Sequence, residues 1–242
     1  MTGSVRIQPF GEHAVIVQWE AIISEHIHAE VLQFQKWVEL QFASEVLETV
    51  TSYHELAIYL KSGVNLSEFI QLLKTKKSTP YSEVSELKKR MLTIPVCYDA
   101  SFAEDLSRVA TINNLTEAEV INIHSEKLYT VYFIGFLPGF PYLGGMDSRL
   151  ATPRLEIPRA KVAKGAVAIG GSQTGIYPQS SPGGWNVIGR TPIELFSMKN
   201  ESSGILKAGD LVRFKAISIE KFQLIETEIA NTTYQLKVNF HD

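Results

Sequence analysis

The chain has 242 residues, 45% of them hydrophobic and 20% charged, enough to bury a core as one large domain or two small ones. A formal net charge of −3 leaves no electrostatic footprint for nucleic acid or an anionic membrane. No apolar run nears the roughly 20 residues needed to span a bilayer, and Met1 to Phe10 has no apolar signal segment. The lone Cys97 excludes an internal disulfide, so a reducing, cytoplasmic setting is expected.

The first third alternates between strand-like and helix-like patterns. Val5 to Ile7 and Ala14 to Val17 read as short strands around the turn-like Gly11-Glu12-His13. After Ser24, a candidate N-cap, Ile27, Val31, Phe34 and Val38 put one face of a helix on a core. Val46 to Val50 and Leu56 to Leu60 read as strands. Asn65 then opens a second helix with Leu66, Phe69, Ile70 and Leu73 on one side. The order ββαββα implies a helix-covered sheet of α+β type.

Thr75 to Arg90 is rich in Lys, Ser, Thr and Glu and reads as a linker, which places the domain boundary near residue 85. The domains expected are thus 1–85 and 86–242. The second opens with the strand-like Met91 to Val96. A helix marked by Phe102, Leu106 and Val109 follows, closing at Asn113-Asn114. Thr116 and Glu119 form a capping box for the next helix, which carries Val120, Ile121 and His124. Beyond Tyr129, short apolar runs (Tyr129 to Ile134, Ala166 to Ile169, Ile193 to Phe196, Leu211 to Phe214) alternate with Gly/Pro turns, the punctuation of a compact β-barrel.

Glycine and proline concentrate in three blocks: Gly135 to Gly145, Gly170 to Pro178, and Ser181 to Trp185. Glycine lets backbone approach a ligand and proline freezes the result, so each block can be a barrel corner or part of a binding surface. All three together favour binding. The candidate contacts are Phe136, Pro138, Gly139, Phe140 and Tyr142 in the first, Gly170, Gly171, Gln173, Thr174 and Tyr177 in the second, and Ser181, Gly183, Gly184 and Trp185 in the third. Between and after the blocks lie Arg154, Arg159, Lys161, Lys164 and Arg190. Arg154 and Arg159 each follow a proline and offer a planar fork for carboxylate or phosphate.

Other chemistries find no footing. There is no phosphate-binding Gly-x-x-x-x-Gly-Lys-Ser/Thr and no Gly-x-Ser-x-Gly elbow. Met198-Lys199-Asn200 lacks the second Met of a biotin-attachment site, and the six His residues have no metal-ligand spacing, so neither biotin nor a metal is expected. His124 reads as a satisfied helix-end histidine before it reads as a functional one, and Cys97 as a buried structural thiol. No self-contained catalytic set emerges.

The long block Gly135-Phe-Leu-Pro-Gly-Phe-Pro-Tyr-Leu-Gly-Gly145, Pro153-Arg154 with Pro158-Arg159, Ala168 to Gly171, Thr174 to Pro178, Ser181 to Trp185 and Ile188 to Pro192 resembles one family. Its members are variously called the 5-oxoprolinase B subunit, allophanate hydrolase subunit 1 and KipI-like proteins. The resemblance also takes in Ile94 to Tyr98, Asp105-Leu106, Leu115-Thr116, His124, Ala208 to Asp210 and Val212 to Phe214. It is strong over residues 91–220 and only a matter of pattern over the first 85. Val162-Ala163-Lys164-Gly165 departs from relatives in carrying Ala for Pro.

The resemblance implies a cyclophilin-like β-barrel behind a small, ferredoxin-like α+β domain. It implies a direct partner, the 5-oxoprolinase C subunit, and a third component, the A subunit. Together these cleave 5-oxoproline to glutamate at the expense of ATP, bound by the complex or by this chain. Phosphorylation of the lactam oxygen would create a leaving group, and such a step needs donors for anionic oxygens more than a nucleophile. On that reading Arg154, Arg159 and Arg190 line one pocket with the three blocks. KipI-like members carry the alternative of an inhibitor that grips a sensor histidine kinase, with Trp185 as an exposed anchor. Related domains in urea carboxylase suggest a third role, without support from any biotin or nucleotide motif here.

Overall fold

A computed structural model of the chain describes residues 5–76, 89–197 and 204–241. They fall into two compact units, Met1–Lys88 and Lys89–Asp242. Most of the linker expected over Thr75 to Arg90, and Met198-Lys199-Asn200, lie outside the described residues.

In the first unit β1 (Arg6–Pro9) turns through Gly11 into β2 (Ala14–Gln18). Helix α1 (Glu25–Gln41) starts where the Ser24 hydroxyl accepts from the Ile27 amide at 3.3 Å. Strands β3 (Val46–Thr51) and β4 (Glu55–Leu60) form a hairpin before α2 (Leu66–Lys76). The four strands lie in the order β1-β2-β4-β3, every neighbour antiparallel. Period-2 alternation sends Val15, Val17, Leu56, Ile58 and Leu60 to one face, where Val31, Phe34, Val38, Phe69 and Leu73 of the helices meet them. At about 1.5–3 kcal/mol per buried apolar side chain, this face is what stabilises the sheet.

The second unit begins with β5 (Lys89–Cys97), α3 (Leu106–Ile112) and α4 (Glu117–Glu126). Asn114 takes the left-handed conformation (φ 54°) between the helices, and both hydrogen bonds of the Thr116/Glu119 capping box form. The strands that follow are β6 (Leu128–Ile134), β7 (Pro141–Gly144), β8 (Arg159–Val162), β9 (Ala166–Gly170), β10 (Gln173–Ile176), β11 (Ser181–Gly183), β12 (Asn186–Arg190) and β13 (Leu211–Ile217). Helix α5 (Ile219–Ala230) and β14 (Val238–His241) close the unit.

Seven strands, in the order β12-β9-β10-β7-β6-β13-β5, form a ring that Arg190 pairing with Cys97 closes, so the barrel fits the cyclophilin-like expectation. Strand β5 runs parallel to β13 and lends its first half to β14. Val96, Val131, Leu143, Val167, Ile169, Ile188 and Phe214 share the barrel core. Strands β8 and β11 pair only with each other, as a ribbon separate from the ring.

One strand expectation fails. Ile193 to Phe196 is no strand beyond a single bridge from Phe196 to Gly204. Thr191-Pro192 interrupts the ladder and the Thr191 hydroxyl accepts from the Ile193 amide, while Ile193 and Leu195, alternating with exposed Glu194, turn into the core all the same.

Candidate functional site

The three glycine blocks converge, and what joins them is packing. Phe140 of the first, Tyr177 of the second and Trp185 of the third meet edge to face, at 5.3 Å for Phe140–Tyr177 and 5.5 Å for Phe140–Trp185. Tyr142 adds a fourth ring, 6.0 Å from Trp185 and stacked on Phe133 at 4.3 Å. Val162, Ala166, Ala168 and Val187 complete this cluster, while Val167 and Ile169, the alternate residues of β9, belong to the barrel core. The aromatic wall is therefore built on the other face of β9. Gly170 makes room for it: a Cβ there would lie 2.5 Å from the Trp185 ring. Gly183 likewise admits the Tyr177 hydroxyl, 2.3 Å from where its Cβ would be.

Trp185 is only 5% exposed, which corrects the expectation of an exposed anchor. Phe140 and Tyr177 are buried too, so the rings fill the space between the blocks. The exposed aromatic of this region is Phe136, held at φ 67°, a costly conformation for a bulky residue, by a tight turn in which the Leu137 amide donates to the Gly135 carbonyl. Pro138 is exposed beside it, and Gly139 packs on Phe196.

Arg154 caps the wall. Its guanidinium lies 5.6 Å from the Trp185 ring, side chain exposed, and it makes no ion pair among the described residues. The irregular segment that carries it is held at several points. Thr152 and Gly171 exchange backbone hydrogen bonds of 3.0 and 2.8 Å, and the Leu155 amide donates to the Gly184 carbonyl at 2.7 Å. Buried Asn186 donates to the carbonyls of Pro153 and Ile169, both at 3.0 Å, and accepts from Arg108. Burial pushes the phenols of Tyr142 and Tyr177 up, and the Arg154 charge pulls both back. A cation that has no ion pair among the described residues, on a clamped loop over a π face, is suited to a small anion.

The other two arginines are engaged elsewhere. Arg159 donates through both terminal nitrogens to the Asp105 carboxylate, at 2.9 and 2.7 Å, and its Nε lies 3.1 Å from Glu104. Arg190 donates to the Lys164 carbonyl at 3.0 Å and lies 5.5 Å over Phe102 and 5.9 Å over Phe222. Lys164 pairs with Glu194. The structure thus brings Arg154 to the aromatic wall with Phe140, Tyr142, Gly170, Tyr177, Gly183, Gly184 and Trp185, and gives Arg159 and Arg190 other partners. The Ser181 hydroxyl turns to the Pro182 carbonyl and Gln173 is half-buried. The amides of Gly135 and Gly171 bond internally, to Phe140 and Thr152.

Thr174 points inward, to His124. Its hydroxyl donates to the Ala168 carbonyl at 3.0 Å, so His124 Nε2 must be the donor in the 3.0 Å contact with Thr174, and Nδ1 accepts from the Tyr98 hydroxyl at 2.7 Å. Fully buried and stacked on Phe214 at 4.5 Å, His124 is neutral, its pKa pushed down to about 3 by burial. It is a satisfied core histidine. Burial likewise raises the Cys97 thiol. A groove of about 350 Å3 runs along α4, lined by Leu115, Glu119, Asn122, Glu126 and Arg149, but Glu119 is spent on its cap and Arg149 on Asp147. Asp105 entered the sequence reading only as part of the family resemblance, with no role, and Arg108 and Asn186 were not singled out. Asn186 follows Trp185 directly, which was the one available signal.

Fold and surface together define the class: a cyclophilin-like barrel with a glycine-stiffened aromatic wall, preceded by a small α+β unit. The model of the carboxyltransferase domain, subdomain C and D, matches residues 5–206, and the chain belongs to that family. The 5-oxoprolinase B subunit from Bacillus subtilis is 35% identical over 94% of this chain and 99% of its own length. Its namesake from Haemophilus influenzae is 38% identical over 89% of this chain and all of its own. The K. lactis urea amidolyase structure superposes with a TM-score of 0.79 over 99% of this chain and 16% of its own, at 19% identity, a likeness of fold alone. No helix among the described residues is long and apolar enough to cross a membrane.

Proposed function

We propose that this chain is the B subunit of an ATP-dependent 5-oxoprolinase and works with the A and C subunits to open 5-oxoproline to glutamate. Relatives of that name align over nearly the whole chain. The observation that carries the chemical part is Arg154, a guanidinium over Trp185 that makes no ion pair among the described residues and lies beside the half-buried phenol of Tyr142. 5-Oxoproline has a small ring with one carboxylate. Its ring suits an aromatic wall and its carboxylate a guanidinium, while a partner protein covers the open side.

Gly135 and Gly171 spend their amides internally and Lys164 is paired with Glu194, which favours a nucleotide held by the assembly over one held by these loops. We therefore assign the nucleotide to the assembly. The first unit we read as a ferredoxin-like sheet whose edge strand β1 comes first in the chain, since β2, α1, β3, β4 and α2 then follow in the usual order.

The test is ATP-dependent glutamate release from 5-oxoproline by the purified chain, first alone and then with the A and C subunits. Activity is expected only in the assembly. Arg154→Ala should raise KM for 5-oxoproline about 10- to 100-fold, the loss of one charge-assisted contact of about 1–3 kcal/mol. Full activity from this chain alone would overturn the shared site.

A further inference from the structure

We propose that Asp105 and Arg159 are positioning residues, a latch that holds the β8–β11 ribbon against the barrel and through it sets Arg154 over Trp185. Asp105 sits at the N-cap of α3, where an aspartate ordinarily accepts from its own helix. Here it makes no such bond. The buried carboxylate instead accepts from both terminal nitrogens of Arg159 and from the Val187 amide at 2.7 Å, while its own amide donates to the Val187 carbonyl at 2.8 Å. One residue thus fastens three elements: the start of α3, strand β12 where its register shifts between Val187 and Gly189, and β8.

The ribbon needs such a fastening. It shares no strand pairing with the barrel, yet Val162 packs within the aromatic cluster and Gly183 against Tyr177. From the latch the path to the site is short. Arg159 pairs with Gly183 in the ribbon, and the next residue, Gly184, accepts from the amide of Leu155, the neighbour of Arg154. Glu104, mostly exposed, steadies the same guanidinium from outside. With Arg159 cut back, the ribbon keeps its own ladder and loses its tie to α3, so Arg154 loses a fixed position over the ring.

The latch is tested on the full chain by hydrogen–deuterium exchange. Arg159→Ala should speed exchange in residues 155–162 and 181–185 by about tenfold or more, with β5 and β13 unchanged. Arg159→Lys should recover part of the protection, and Asp105→Asn, which keeps an acceptor for Val187 but loses the charge, should loosen the same segments even if Arg159→Ala fails to fold. Unchanged ribbon exchange in the Arg159→Lys and Asp105→Asn variants would overturn the latch. The link to Arg154 rests on the reading of that residue as the anion contact, and a double-mutant cycle in the assembled enzyme tests it. Arg159→Ala should raise KM for 5-oxoproline with kcat little changed, and Arg154→Ala/Arg159→Ala should be no worse than Arg154→Ala alone. Additive losses would overturn the positioning role. A normal KM in Arg154→Ala itself would instead defeat the anion-contact reading and leave the exchange result standing.

Discussion

Among the described residues of the barrel unit no buried side-chain nitrogen or oxygen lacks a partner, whereas the cation at its rim makes no ion pair. Arg154 and Arg159 make the contrast sharpest, since each follows a proline, the first in the loop before β8 and the second at the start of that strand. Arg159 grips a buried carboxylate 54 positions upstream, and Arg154 lies exposed over Trp185. His124 extends the interior pattern, with both ring nitrogens bonded in a direction that one hydroxyl fixes. The difference teaches that such a dipeptide does not decide its own use. What decides it is whether the fold delivers an acid to it, and desolvation makes that delivery obligatory inside and optional at the rim.

The largest effect expected on the interior side is a pH dependence. Folded, His124 stays neutral down to about 3, while in the unfolded chain it titrates near its ordinary value of 6.5. Between those values the unfolded state binds the extra proton. Stability contributed by the neutral imidazole is therefore complete above about pH 6.5, falls as the pH drops, and is fully lost by about pH 3. The limit is of order 5 kcal/mol. Urea melts from pH 7 to 4, compared with those of His124→Leu, isolate the contribution: the variant should be weaker at pH 7 and lose less on acidification. Parallel curves would break the picture of a buried neutral base.

Next comes Asp105→Ala, which strands the Val187 amide and the Arg159 charge. A buried ion pair broken on one side costs about 3–5 kcal/mol, and because a quarter of the Arg159 side chain is exposed, water recovers part of that, leaving about 2–3 kcal/mol. The same denaturation experiment measures it. Little change would mean that the carboxylate merely decorates α3.

How much of this was legible follows from where the causes lie. Strand periodicity at Val15/Val17 and Leu56/Ile58/Leu60, and the Thr116/Glu119 cap, are local, and sequence reads local causes well. The convergence of the glycine blocks was expected around a ligand pocket, and the structure joins them instead by packing Phe140, Tyr177 and Trp185 together. The role of Asp105 was hidden, since before a helix it looks like a cap and its partners are distant in sequence. Thr174 was misplaced towards the ligand side because Gly170-Gly171-Ser172-Gln173-Thr174-Gly175 has no apolar alternation from which to tell inside from outside. Helix α5 and β14 drew no reading at all.

Smaller in stability but closer to the rim is Gly170→Ala. Its Cβ would meet the Trp185 ring at 2.5 Å, and the ring is hemmed in by Phe140 and Tyr142. Overpacking of that kind costs about 1–3 kcal/mol, and any shift of the ring that relieves it disturbs the surface over which Arg154 lies. The variant should therefore lower the melting temperature modestly and raise KM for 5-oxoproline more than its stability loss explains. A KM unchanged in a destabilised Gly170→Ala would show that the ring is wall only.

The smallest expected change in stability belongs to Arg154→Ala. The side chain is exposed and has no ion pair among the described residues, so its cation–π contact is worth about 0.5 kcal/mol and little else is lost. A variant that melts like the parent yet binds 5-oxoproline weakly in the assembled enzyme would separate the rim from the interior in a single measurement. A loss of about 2 kcal/mol or more, by contrast, would place Arg154 among the partnered groups, on the scale of a buried charge. The contrast between the two arginines would then disappear, since a guanidinium that the fold depends on is not one held open for a ligand.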